Sequence, residues 1–240
     1  MKILAFDTSN KPLTVAVVED SKVLAHMEST EIKTHSVSIL PDIQESLKTA
    51  NLSVNDIDLI AVADGPGSYT GVRIAVTVAK TLAFTLNKPL VGVSSLRVLA
   101  ANGTDGKLAV PVIDARNDNA FAGAYILKSN EVVNVIADQH ISMDKLFELL
   151  ANYDENNIQF VNVSEHLAEL IQNKMPNAEI ILTKDSLPNA AKLANLAKDE
   201  QPVKDIDAFV PTYLRLTQAE HDWMEKGHKE DGNISYVEEI

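Results

Sequence analysis

The chain contains no cysteine. That gap removes disulfides, thiolate nucleophiles and cysteine-ligated zinc together, so any metal chemistry has to rest on histidine and carboxylates. Basic side chains are also scarce: 21 Lys and Arg face 34 Asp and Glu, a formal net charge of -13. A direct grip on a phosphate backbone would work against the field of the whole molecule, which assigns any nucleic-acid role to a partner. No stretch approaches the ~18 uninterrupted apolar residues of a membrane span. The start, Met1-Lys2-Ile3-Leu4-Ala5-Phe6-Asp7, turns polar too early for a secretory signal, so a cytoplasmic protein without membrane contact is expected. No residue-level internal repeat stands out.

What is present suffices for a real core. At 240 residues, 45% of them hydrophobic, the chain can build one large domain or two small lobes. Short β-rich runs at Lys2 to Phe6, Thr14 to Val18 and Lys22 to Met27 read as an antiparallel meander. From Thr34 the pattern becomes helical, with Ile39, Leu40, Ile43, Leu47 and Ala50 on one face and Pro41 either kinking or beginning the helix. Ile57 to Ala63 reads as a strand buried on both faces. Leu90 to Val93 and a helix from Ser94 complete the first half. Asn102-Gly103-Thr104-Asp105-Gly106 is the expected boundary, giving lobes of residues 1–102 and 103–240. The meander theme then returns at Leu108 to Asp114, Ala120 to Leu127 and Val132 to Ile136. Helices are expected at Met143 to Ala151, Ser164 to Asn173 and Asn189 to Lys198, and strands at Phe160 to Val163 and Glu179 to Leu182. The recurrence predicts an α/β protein built from a duplicated βββαβα unit. Beyond Asp207, Trp223, Met224 and Ile240 scattered among charges suggest a docked helix and a frayed end.

Between strand and helix lies Asp64-Gly65-Pro66-Gly67-Ser68-Tyr69-Thr70-Gly71-Val72-Arg73-Ile74. Glycines at a helix start can hold an anion on backbone N–H groups. The P-loop lysine is missing, however, and the spacing fails the dinucleotide fingerprint. The helix that follows is apolar over more than half its circumference when Val72 to Leu86 is projected at ~100° per residue. Only Arg73, Thr77, Lys80, Thr81 and Phe84 fill the remaining wedge. One sheet cannot cover so wide an arc, so a second neighbour is expected: the preceding helix, another chain, or both.

Several blocks point further. Ile3-Leu4-Ala5-Phe6-Asp7-Thr8-Ser9, Thr34-His35-Ser36 with Leu40-Pro41, the glycine turn with Ala79-Lys80-Thr81-Leu82-Ala83, Gly92-Val93-Ser94-Ser95-Leu96, Ile113-Asp114-Ala115-Arg116 and Pro211-Thr212-Tyr213-Leu214-Arg215 resemble the bacterial TsaB (YeaZ) family. The resemblance implies a two-lobed fold of the actin, sugar-kinase and heat-shock-ATPase superfamily. It also implies a non-catalytic role beside TsaD in forming N6-threonylcarbamoyladenosine next to the anticodon of tRNAs that read codons starting with A. In that family the two first-lobe helices pair with TsaD or with a second copy, the ATPase TsaE joins, and TsaC supplies threonylcarbamoyl-adenylate. Neither a cofactor nor a metal is implied.

The candidate sites follow. The partner face is expected at Ile39, Ile43, Leu47, Val72, Val76, Ala79 and Ala83, with Arg73 and Lys80 seven apart on one polar face that either meets a partner's carboxylates or stands in water. Asp7, Thr8, Ser9 and Asn10 form the turn that faces phosphate in ATP-using relatives. Its counterpart, Asp114-Ala115-Arg116-Asn117-Asp118-Asn119, has no glycine and two carboxylates, which argues for a structural turn. Gly65, Gly67, Ser68, Thr70 and Gly71 make the glycine turn, where Ser68 and Thr70 suit capping and Ser68 lacks the flanking glycines of a nucleophile elbow. His35 has Ile39, not a second histidine, four residues on, so it makes no metal pair. The alternatives are an ATP-dependent phosphotransferase and a metalloprotease-like hydrolase.

Overall fold

The computed structural model describes residues 1–29, 35–128, 131–181 and 186–215. The first half runs β1 (Lys2–Asp7), β2 (Leu13–Glu19), β3 (Lys22–Ser29), α1 (His35–Thr49), β4 (Leu59–Ala63), α2 (Tyr69–Leu86), β5 (Leu90–Val93) and α3 (Ser95–Ala100). The second half repeats the order: β6 (Leu108–Asp114), β7 (Asn119–Lys128), β8 (Glu131–Ser142), α4 (Met143–Leu150), β9 (Ile158–Val161), α5 (Glu165–Lys174), β10 (Glu179–Ile181) and α6 (Ala190–Ala197). The two five-stranded sheets are ordered β3-β2-β1-β4-β5 and β10-β9-β6-β7-β8, the same arrangement read from opposite ends. In each, an antiparallel meander is extended by parallel strands reached over helices. This is the duplicated unit the sequence pattern predicts, and the fold is the actin, sugar-kinase and heat-shock-ATPase type.

Alternation of side chains sorts the layers. On β1, Leu4 and Phe6 point to the face covered by α1 and α2, while Ile3 and Ala5 point to the opposite face. On the second sheet Leu108, Val110 and Val112 face α4 and α5. The two inner faces share one core with α3 and α6. These two helices cross over: α3 packs on β6 and β7 of the second sheet, and α6 packs on β1, β2, β4 and β5 of the first. Small side chains allow that closeness, with Ala5, Ala16, Ala61 and Ala63 of the first sheet opposite Ala190, Ala194 and Ala197 of α6.

Differences from expectation are local. Pro41 lies inside α1 as its seventh residue. Strand β8 runs to Ser142, well past Ile136: Asp138 and Gln139 break the apolar signal, and the ladder shifts register opposite Ala122 to Tyr125 but continues beyond it. Residues 207–215 form no helix and follow α2, whose Lys80 holds the Asp207 and Phe209 carbonyls and whose Tyr69 stacks with Tyr213. The remainder of the expected tail helix, with Trp223, Met224 and Ile240, lies outside the described residues, as do the expected helix start at Thr34 and strand end at Leu182. No helix among the described residues is long and apolar enough to cross a membrane.

Candidate functional site

The two turns singled out in the sequence meet. Ser9 O accepts from Ser68 N at 2.7 Å, and the Thr8 hydroxyl donates to Gly71 O at 2.6 Å. The glycines serve this backbone contact: a Cβ on Gly67 would lie 2.4 Å from Ser9 O, and one on Gly71 would lie 2.0 Å from Thr8 O. Ser68 caps α2 by accepting from Gly71 N at 3.3 Å, as its place in the motif suggests. The Gly65 carbonyl accepts from Ser95 N at 2.8 Å and so ties the turn to α3.

Asp7, Thr8 and Ser9 are buried. One Asp7 oxygen accepts from Ser9 N at 2.6 Å, and the other, Oδ2, has no hydrogen-bond partner among the described residues. Burial pushes its pKa up. Asn10 lies at the lobe junction, where Asn162 donates to its Oδ1 at 3.4 Å and to Val112 O at 2.9 Å. The opposite turn, 114–119, is braced from inside and outside: Asp114 accepts from Arg116 N at 2.8 Å and from Ser164 Oγ at 2.9 Å, and Asn119 donates to Asn117 O at 2.7 Å. Arg116, Asn117 and Asp118 all have positive φ, a path taken here without glycine. A phosphate between these turns would meet the carboxylates of Asp7, Asp114 and Asp118.

Next to this junction Asp64 follows the end of β4. Desolvation, then the fields of Asp138 and Asp7, raise its pKa to about 7. Asp138 accepts from Ser94 Oγ and Tyr125 Oη, each at 2.5 Å, and burial raises its pKa as well.

The helix pair differs from the expected partner face in two respects. Ile39, Ile43, Leu47, Val72, Val76, Ala79 and Ala83 are all buried against the chain's own first sheet. The sheet takes the centre of the apolar arc, because Ala75, Ala79 and Ala83 bring α2 close to it. Lys80 does not await a partner carboxylate: its Nζ donates to Asp207 O at 2.8 Å and Phe209 O at 2.7 Å. His35 is held by the Lys11 carbonyl at 3.0 Å.

The flank of the arc remains uncovered. A groove of about 450 Å³ runs between α1 and α2, lined by Leu40, Tyr69, Thr70, Arg73, Ile74 and Val78 among others. Val37 is 68% exposed, Leu40 55% and Tyr69 50%, on a surface where such side chains are ordinarily covered. Ile74 and Val78 stand on the projected apolar arc, on the side turned away from its buried centre, so the helical wheel contained this flank. Tyr69 and Leu40 carry the surface without having been assigned to it. Arg73 stays exposed, donates to Tyr69 Oη at 2.6 Å and lies 5.2 Å from that ring's centroid.

Known proteins place the chain in context. A family model described as TsaD: tRNA N6-adenosine threonylcarbamoyltransferase matches residues 22–223. The chain is 37% identical over 228 residues to the tRNA threonylcarbamoyladenosine biosynthesis protein TsaB of Bacillus subtilis, covering 94% of this chain and 99% of that protein. A tRNA N6-adenosine threonylcarbamoyltransferase of Brachyspira hyodysenteriae is 38% identical over 112 residues, 40% of this chain and 33% of that one. Among solved structures, YeaZ from Pseudomonas aeruginosa superposes with a TM-score of 0.74 at 26% identity, covering 89% of this chain and 100% of that chain.

Proposed function

Because this chain belongs to the TsaB family, we propose that it acts as the non-catalytic partner of a TsaD-type protein in making N6-threonylcarbamoyladenosine on tRNA. The observation that carries this reading is the uncovered apolar groove between α1 and α2, set beside a phosphate turn closed by the chain's own backbone. The partner's nature follows from likeness. A family model described as TsaD fits residues 22–223 of this chain, which supports a TsaD-type partner built on the same plan. On that plan two helix pairs associate face to face, and a second copy of this chain can occupy the same face in the partner's place. The -13 charge favours this division of labour, with tRNA, the adenylate from TsaC and the ATPase TsaE engaged through the complex in the cytoplasm. A phosphotransferase would need an open path to Asp7, which Thr8, Ser9, Gly71 and the Asn10–Asn162 contact close. The hydrolase alternative loses its histidine pair and its nucleophile elbow, since His35 is bound to Lys11 O and Ser68 is a cap.

The test is reconstitution of tRNA threonylcarbamoylation with TsaD, TsaC and TsaE, with and without this chain, alongside its Leu40→Glu and Val78→Glu variants. Modification is expected only when the unaltered chain is present, and each variant, still folded by circular dichroism, should fail to co-purify with TsaD. Full modification without the chain, or micromolar Mg-ATP binding with turnover by the chain alone, would overturn the proposal.

A further inference from the structure

Residues 203–215 run back along α2 from its C-terminal end to its N-terminal end. Val203 N donates to Leu90 O at 2.8 Å beside the last turn of α2, and Lys80 Nζ holds the carbonyls of Asp207 and Phe209 midway. Thr212 N then donates to Asp64 O at 2.8 Å next to the glycine turn. The segment arrives at the groove: the Tyr213 ring stacks on Tyr69 with centroids 5.2 Å apart and planes inclined at 28°. Tyr213 is 47% exposed and Val210 66% exposed, so this contact leaves much of both in water. A segment whose only task was to protect α2 would turn its large apolar side chains inward, as Ile206 and Phe209 are turned. Half of the exposed large hydrophobic side chains among the described residues lie on α1, α2 and this segment.

We infer that residues 203–215 form a third wall of the partner face, presenting Tyr213 beside Tyr69 and Arg73 to the helix pair of a TsaD-type protein, and that Lys80 is the clasp holding the wall in place. The inference rests on the partner role proposed above and adds its outer margin. A stable interface takes about 800 Å² from each partner, and the segment widens the face that the two helices present. Tyrosine and arginine are the side chains that such faces favour, because each combines a broad rigid contact with a polar end. The Lys80 amine holds the segment by two main-chain carbonyls, so removing it loosens the wall without altering the side chains that the wall displays.

The experiment measures affinity for TsaD by calorimetry for the full chain and for Tyr213→Ala, Tyr213→Phe, Lys80→Met and Leu40→Glu. Tyr213→Ala is expected to weaken binding about tenfold or more, as loss of a hot-spot ring does, and Tyr213→Phe to stay within about threefold. Lys80→Met should weaken binding too, with faster hydrogen exchange at the Thr212 amide showing that the clasp has opened. If Tyr213→Ala and Lys80→Met bind as the unaltered chain does while Leu40→Glu does not bind, the wall is refuted and the partner role stands. Full-strength binding by Leu40→Glu would instead refute the partner role itself.

Discussion

Gly71 and Thr8 lie 63 positions apart, and a methyl group cannot be placed between them. The Cβ of an alanine at 71 would fall 2.0 Å from Thr8 O, and backbone on both sides leaves no flexible atom to yield. Gly71→Ala should therefore destabilise the protein by roughly 2 kcal/mol or more, measured by urea unfolding, because the glycine turn and β1 must separate. Asp64 makes a different prediction. Its native pKa of about 7 lies above the usual carboxylate value, so the native state holds the extra proton between about pH 4 and about pH 7. Stability consequently falls as pH rises through that window. Asp64→Asn removes this slope, and its melting temperature should gain on that of the unaltered chain on going from about pH 5 to about pH 8. An unchanged difference between the two proteins across that range would show that Asp64 does not titrate as described. Neither Gly71's contact nor Asp64's burial is written in local sequence. The first depends on which turn lies opposite, and the second on distant segments that shield Asp64 from water, with Thr212 N donating to its carbonyl and the carboxylates of Asp7 and Asp138 adding their fields.

Helix α2 is where sequence and structure are most instructively compared. Its hydrophobic arc was plain from periodicity, and the wedge of Arg73, Thr77, Lys80, Thr81 and Phe84 is indeed its outer side. Periodicity could not say how neighbours divide the arc. The sheet claims the centre through Ala75, Ala79 and Ala83, α1 meets one flank, and residues 203–215 meet the other through Lys80. A wheel drawn from one helix has no information about a segment more than a hundred residues away. The division yields a paired prediction. Val76, 3% exposed, cannot accept a carboxylate, so Val76→Glu should give an unfolded or insoluble chain. Val78, in the groove, should accept Glu at a cost below about 1 kcal/mol in urea while losing its partner. Equal stability of the two variants would contradict the orientation of the helix.

Taken whole, the molecule has its chain boundary and its core boundary in different places. Residues 102–106 link the two sheets covalently, yet the inner faces of both sheets share one cluster with α3 and α6. The repeated meander was readable because alternation and turn residues are local. The exchange of helices was not, because Ala190, Ala194 and Ala197 look the same whichever sheet receives them. Residues 1–102 alone would expose Ile3, Leu59, Val91 and Val93, which α6 and its neighbours bury in the whole chain. That fragment should show poorly dispersed amide resonances and no cooperative melt, whereas the whole chain should melt in one transition by calorimetry and circular dichroism alike. A cooperative melt of the fragment would separate the sheets as independent units.

The crossing of α6 onto the first sheet also orders events at the ribosome. Synthesis delivers β1 to β5 early, but the helix that roofs their inner face is encoded nearly a hundred residues after β5. A nascent chain must therefore carry an unroofed, alanine- and valine-lined strand surface through most of its elongation, and slowed translation or scarce chaperones should depress its yield more than that of a protein whose halves close in order.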